Sequence, residues 1–110
     1  MSILLRDPLR NILINSDYKT IKKFILTNKN VIDITSDYYF WYMKVSNDIR
    51  NIRNDDINSY LYKACADNAK EIFDIIKDLN IINFYEDDIF YGMVESSSVD
   101  MIIYCNFLSI

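Results

Sequence analysis

The sequence predicts an all-α fold, a single domain over residues 1–110 built as a stack of about four antiparallel helix pairs. Two observations predict it. Residues 59–81, SYLYKACADNAKEIFDIIKDLNI, are followed 29 residues later by 88–110, DIFYGMVESSSVDMIIYCNFLSI, with the same layout of short helix, tight turn and second apolar helix; a shift of 51 residues brings 8–30 into the same frame less closely. Second helices are expected to begin near residues 17, 48, 68 and 98, at spacings of 31, 20 and 30. A period near 30, each holding a helix pair that cannot bury its own apolar face, is the mark of a stacked repeat. The second unit is the irregular one.

The first helix is expected from Pro8, with Asp7 as its cap, to about Asn15, because proline at the first helical position loses no hydrogen bond. Leu9, Ile12 and Leu13 share one face. Ser16 or Asp17 then caps a helix to about Asn28, with Ile21, Phe24 and Ile25 apolar and Lys22, Lys23 and Lys29 on the basic side. These two should pair as a hairpin. Residues 30–35, NVIDIT, alternate apolar and polar and read as a loop with some extended character. Ser36 and Asp37 cap a third helix carrying Tyr38, Tyr39, Phe40, Trp41 and Tyr42, five consecutive aromatics that cannot all face one core on a 3.6-residue period. After Asn47, Ile49 and Ile52 suggest a separate short turn or two of helix. Asp55 or Asp56 caps the fifth helix, with Leu61, Ala64 and Cys65 inward. Asn68 opens the sixth, whose Ile72, Phe73, Ile75, Ile76 and Leu79 form a wide apolar face. Residues 81–85 link to a fourth pair, 89–95 and 99 to about 108, and Glu86, Asp87 and Asp88 sit where the helix dipole favours carboxylates.

Composition narrows the function. Apolar residues make up 51% of the chain, enough for a core without staples. Both cysteines, Cys65 and Cys105, fall on inward helix positions, which suits a reducing intracellular compartment better than a disulfide. The opening MSILLRDPLR is too short for a signal-peptide core, and no stretch approaches a membrane span, so a soluble, cytoplasmic protein is expected. The net charge of −4 divides unevenly: residues 1–55 carry nine Lys/Arg against six Asp/Glu, and residues 56–110 three against ten, or +3 and −7. That acidic half argues against nucleic acid as the partner. The abundance of Asn, Ile, Lys and Tyr has the flavour of AT-rich coding sequence.

The organising stretch matches the ankyrin helix pair, TPLHLAA followed by NGHLEIVKLLL, at Ser59, Tyr60, Leu61, Tyr62, Lys63, Ala64 and Cys65, then Asp67, Asn68, Ala69, Lys70, Glu71, Ile72 and Phe73. Residues 90–102 follow with Phe90, Tyr91, Met93 and Val94, then Ser97, Ser98, Val99, Asp100, Met101 and Ile102. The chain therefore resembles a degenerate ankyrin-repeat protein of the kind found in poxviruses and other large DNA viruses. The TPLH turn is missing throughout, and Asp17, Asn68 and Ser97 stand where the inter-helix glycine belongs. Asn68 can adopt the left-handed conformation that glycine supplies, whereas Ser97 is a poorer substitute.

No catalytic residues, cofactor or metal are expected. The absence of histidine removes the commonest general base and metal ligand, two cysteines 40 residues apart do not make a zinc site, and a lone Gly92 makes no phosphate loop. The resemblance instead implies a protein-binding concave face, formed by Tyr38, Tyr39, Trp41 and Tyr42, by Asp55, Asp56 and Tyr62, and by Phe84, Tyr85, Glu86, Asp87 and Tyr91. Aromatic rings dominate such surfaces because they bury much area with few rotors. The function expected is thus a non-enzymatic interaction module, in the viral setting one that binds and inhibits a host immune or cell-death factor. Two rivals are an acidic inhibitor or immunity protein that mimics nucleic acid or neutralises a toxin, and a Bcl-2-like or death-fold helical adaptor. Phe107, Leu108 and Ile110 leave the last pair without a polar cap, which points to self-association there or to a longer array.

Overall fold

A computed structural model of the chain describes residues 3–53 and 56–105, with side chains described from Pro8 onward. It is all-α: among the described residues there are eight helices and no strand. Contacts divide the chain into two compact units, Met1–Asn51 and Ile52–Ile110. The expectations for residues 106–110 lie outside the described residues.

The first unit holds α1 (Ile3–Ile14), α2 (Tyr18–Ile25), α3 (Lys29–Thr35) and α4 (Tyr38–Arg50). Short polar side chains cap three of them. Asp17 accepts the Thr20 N–H at 2.7 Å, Asn28 the Asn30 N–H at 2.9 Å, and Asp37 the Tyr39 N–H at 3.0 Å, each satisfying an amide that has no partner within its own helix. Four sequence expectations are corrected here. Helix α1 starts at Ile3, so Pro8 lies inside it and Asp7 is not its cap; the preceding leucines and arginine are good helix formers, and a proline this close to the start forfeits one backbone bond. Helix α2 ends three residues earlier than expected, at Ile25. Residues 30–35 are helical, because Val31, Ile34 and Thr35 are buried at i, i+3 and i+4, the helical period hidden beneath an apparent alternation. Finally, α4 runs unbroken to Arg50, so the second unit of the expected array has no second helix near residue 48.

Packing follows those segments. Helix α1 lies chiefly against α4 and α3, and α2 against α3, so the α1–α2 pair expected from the sequence is not the main contact. Leu13, Ile21, Val31, Ile34, Phe40 and Val45 are fully buried between them. Lys44 is buried with them at 3% exposure. Its ammonium donates to the Ile14 carbonyl at 3.1 Å and to both oxygens of Asp48, one turn on, at 3.0 and 3.2 Å. A cation thereby satisfies a carbonyl at the end of α1, where the helix dipole is negative.

The second unit holds α5 (Ile57–Ala66), α6 (Lys70–Leu79), α7 (Asp87–Ser96) and α8 (Val99–Cys105). Leu61, Ala64 and Cys65 face inward from α5, and Ile72, Phe73, Ile75 and Ile76 from α6, as their spacing predicts; Leu79 is half-buried. Asp56 precedes α5 without making a side-chain cap bond, and Asp55 is outside the described residues. Asn68 does adopt the left-handed conformation, at φ 56°, in the turn before α6. Ser97 does not: it is extended at φ −69°, and the next turn is held instead by the Ser98 hydroxyl, which accepts the Met101 N–H at 3.1 Å.

The two pairs pack like on like. Helix α7 lies on α5, where the sole glycine, Gly92, leaves room for the ring of Tyr62; a Cβ at 92 would run into it. On the other layer, Tyr104 of α8 donates its hydroxyl to Asp74 of α6 at 2.6 Å, and Lys70 of α6 lies over the Tyr104 ring, 5.2 Å from its centroid.

Candidate interaction surfaces

The aromatic run of α4 splits at the helical period. Phe40 and Trp41 turn inward with Lys44 and Val45, while Tyr38, Tyr39 and Tyr42 are exposed. Trp41, expected to face a partner, is a core residue at 4% exposure. Its indole N–H donates to the Thr35 carbonyl at 2.7 Å, and its ring lies against Tyr18 and edge-on to Phe40. A buried indole needs such a carbonyl, and the end of α3 supplies one. Of the three outward tyrosines, Tyr38 lies beside both others, its ring centroid 6.1 Å from Tyr39 and 6.5 Å from Tyr42. Met43 extends the patch.

In the second unit the expected residues separate into wall and rim. Phe84 is half-buried and stacked on Phe73, with centroids 5.5 Å apart, and Tyr62 is half-buried over Gly92. Tyr85 and Tyr91 are among the most exposed rings of the protein, at 80% and 69%, and Glu86, Asp87 and the neighbouring Asp88 are exposed at the start of α7. Asp56 is exposed as well; Asp55 lies outside the described residues.

Sequence reasoning missed a cleft of about 330 Å³ in this unit. Phe73, Phe84, Phe90 and Met93 give it an apolar lining, and Asp74, Lys77 and Tyr104 supply polar groups. Phe73 reads from the sequence simply as core and Asp74 and Lys77 as solvated positions of the same helix. Only the approach of α8 brings Tyr104 across to them.

Two groups of the cleft, the Tyr104 phenol and the Cys105 thiol, hold their protons more tightly than usual. Donation to the Asp74 carboxylate, then burial, pushes the Tyr104 phenol up to about 12. Burial first, then the neighbouring Cys65 and Asp74, pushes the Cys105 thiol up to about 11 against a smaller opposing effect of Lys77. Burial also raises Cys65, partly offset by a hydrogen bond with Ser97. Both cysteines are free thiols, and a thiol kept protonated is a poor nucleophile. Among the described residues no group of three or more His, Cys, Asp and Glu could hold a metal ion, and no helix is long and apolar enough to cross a membrane.

Comparison with protein-family models, with curated proteins and with solved structures returns no match.

Proposed function

We propose that the chain is a non-enzymatic protein–protein interaction module. The observation that carries this reading is the patch of Tyr38, Tyr39 and Tyr42, three solvent-exposed rings of which Tyr38 lies beside each of the other two. They stand on a 13-residue helix whose opposite side is anchored by Phe40, Trp41 and Val45. Rings fixed on a rigid helix have little conformational entropy left to lose, which is the condition for an efficient contact surface. Like-on-like packing of α5 with α7 and of Asp74 with Tyr104 supports an ankyrin-like reading of the second unit. In that reading the partner is a host immune or cell-death factor met in the cytoplasm, a compartment in keeping with two free thiols. The −7 formal charge of residues 56–110 supports a second reading, an acidic inhibitor of a basic protein.

The test is affinity capture from candidate host-cell lysate by the wild-type chain and by Tyr38→Ala/Tyr39→Ala/Tyr42→Ala, with unchanged helicity of the variant checked by circular dichroism. A stoichiometric partner retained by the wild type and lost at least tenfold by the variant is expected. Recovery of no stable partner, or undiminished capture by the variant, sinks the proposal.

A further inference from the structure

We infer that the cleft lined by α6, the 80–86 connection, α7 and α8 is a socket for one apolar side chain carried on a basic segment of a partner protein. This rests on the interaction-module reading and assigns the chemistry of a partner to the second unit.

The size sets the scale. At about 330 Å³ the cleft lies at the bottom of the range for small-ligand sites, room for one or two side chains. Its lining sets the anchor. Phe73 and Phe84 stack at 5.5 Å, and Phe90 and Met93 complete an apolar surface whose water a purely polar ligand would not displace at a profit. The rim sets the charge of what flanks the anchor. Asp74 lines the cleft with its carboxylate bonded to the Tyr104 hydroxyl, and Glu86, Asp87 and Asp88, all exposed, follow in the chain on the lining residues Phe84 and Tyr85. Of the unit's three lysines, Lys63 pairs with Asp67 at 3.4 Å, Lys70 lies over the ring of Tyr104 at the cleft wall, and Lys77 lines the cleft itself, so the acids of the unit still outnumber the cations near it. Ten acids against three lysines over residues 56–110 repel an acidic segment, and they equally repel a second copy presenting the same face.

The experiment uses the full chain with methyl-labelled methionine. Met93, 2% exposed, lines the cleft, and Met43 on α4 serves as the control. The probes are three blocked pentapeptides, Lys-Lys-Phe-Lys-Lys, Lys-Lys-Ala-Lys-Lys and Glu-Glu-Phe-Glu-Glu. The basic phenylalanine peptide should shift the Met93 methyl saturably and leave Met43 in place. Replacing its phenylalanine by alanine should weaken it by about tenfold or more, and raising salt from about 50 to about 500 mM should weaken it severalfold. Glu86→Gln/Asp88→Asn, two exposed positions, should also weaken it severalfold while leaving helicity intact. Equal shifts from the alanine or the acidic peptide, or a still Met93, overturn the assignment. So does a Met93 shift that grows with protein concentration alone, which would give the socket to a second copy. A negative result here leaves the α4 patch untouched, since its capture test does not involve the cleft.

Discussion

Lys44→Met should destabilise the protein by about 2–3 kcal/mol. The substitution keeps most of the aliphatic stem, and so the packing between α1 and α4, but removes an ammonium that is 3% exposed and bonded to the Ile14 carbonyl and to Asp48. Hydrogen bonds to a charged group contribute about 1.5–3 kcal/mol, and breaking a fully buried ion pair costs about 3–5 kcal/mol because the remaining charge is stranded. Asp48 is 22% exposed, so water recovers part of that loss and the value falls toward the lower range. Against a total stability of about 5–15 kcal/mol, the change is large. Urea unfolding followed by the emission of Trp41, the only tryptophan and a buried one on the same helix, should show a midpoint lower by roughly 0.7–3 M for an m-value of about 1–3 kcal/mol/M. Replacing both partners, in Lys44→Met/Asp48→Leu, should recover much of the loss. A single variant within about 0.5 kcal/mol of wild type, or more stable than it, would refute the idea that the ammonium holds the end of α1.

The turn at Asn68 and the Tyr104 phenol give two further predictions. Asn68→Gly should be neutral or stabilising by up to about 1 kcal/mol, because glycine meets no penalty at φ 56° and the substitution removes a buried side-chain oxygen that has no hydrogen-bond partner; Asn68→Ala should cost about 1 kcal/mol, and thermal melts that rank the two the other way would contradict the turn. In an absorbance titration, the wild-type minus Tyr104→Phe difference should show one phenol ionising near 12, and Asp74→Asn should return it toward about 10, the ordinary tyrosine value. Because the folded chain holds this proton more tightly than the unfolded chain does, the associated stabilisation is whole below about pH 10 and is lost as the pH rises toward 12.

The second unit was legible in the sequence because its core positions recur at helical spacing twice, 29 residues apart, and because Asn68 advertises a left-handed turn. Tyr85, Glu86, Asp87 and Tyr91 were legible as surface for the same reason. The first unit was harder. A seven-residue helix with Val31, Ile32, Asp33 and Ile34 in succession satisfies both a two-residue and a 3.6-residue period, and only packing against α1, α2 and α4 decides between them. Periodicity says that five aromatics must divide between inside and outside, but the phase that sends Trp41 inward is set by the Thr35 carbonyl awaiting a donor. The burial of Lys44 depends on the end of α1 arriving beside it, 30 residues away in the chain. The cleft depends on α8 crossing to α6, a contact 30 residues apart in the chain, which no local pattern encodes.

One bond in the second unit bears on how its two helix pairs come together. The Cys65 carbonyl, at the end of α5, accepts the Ser98 N–H at 3.2 Å from the turn of the following pair. Synthesis runs from the N-terminus, so the acceptor is in place before its donor leaves the ribosome. The Ser98 amide is then a register mark: its hydrogen exchange should slow only when the two helix pairs are seated together, and its protection measures the coupling between them.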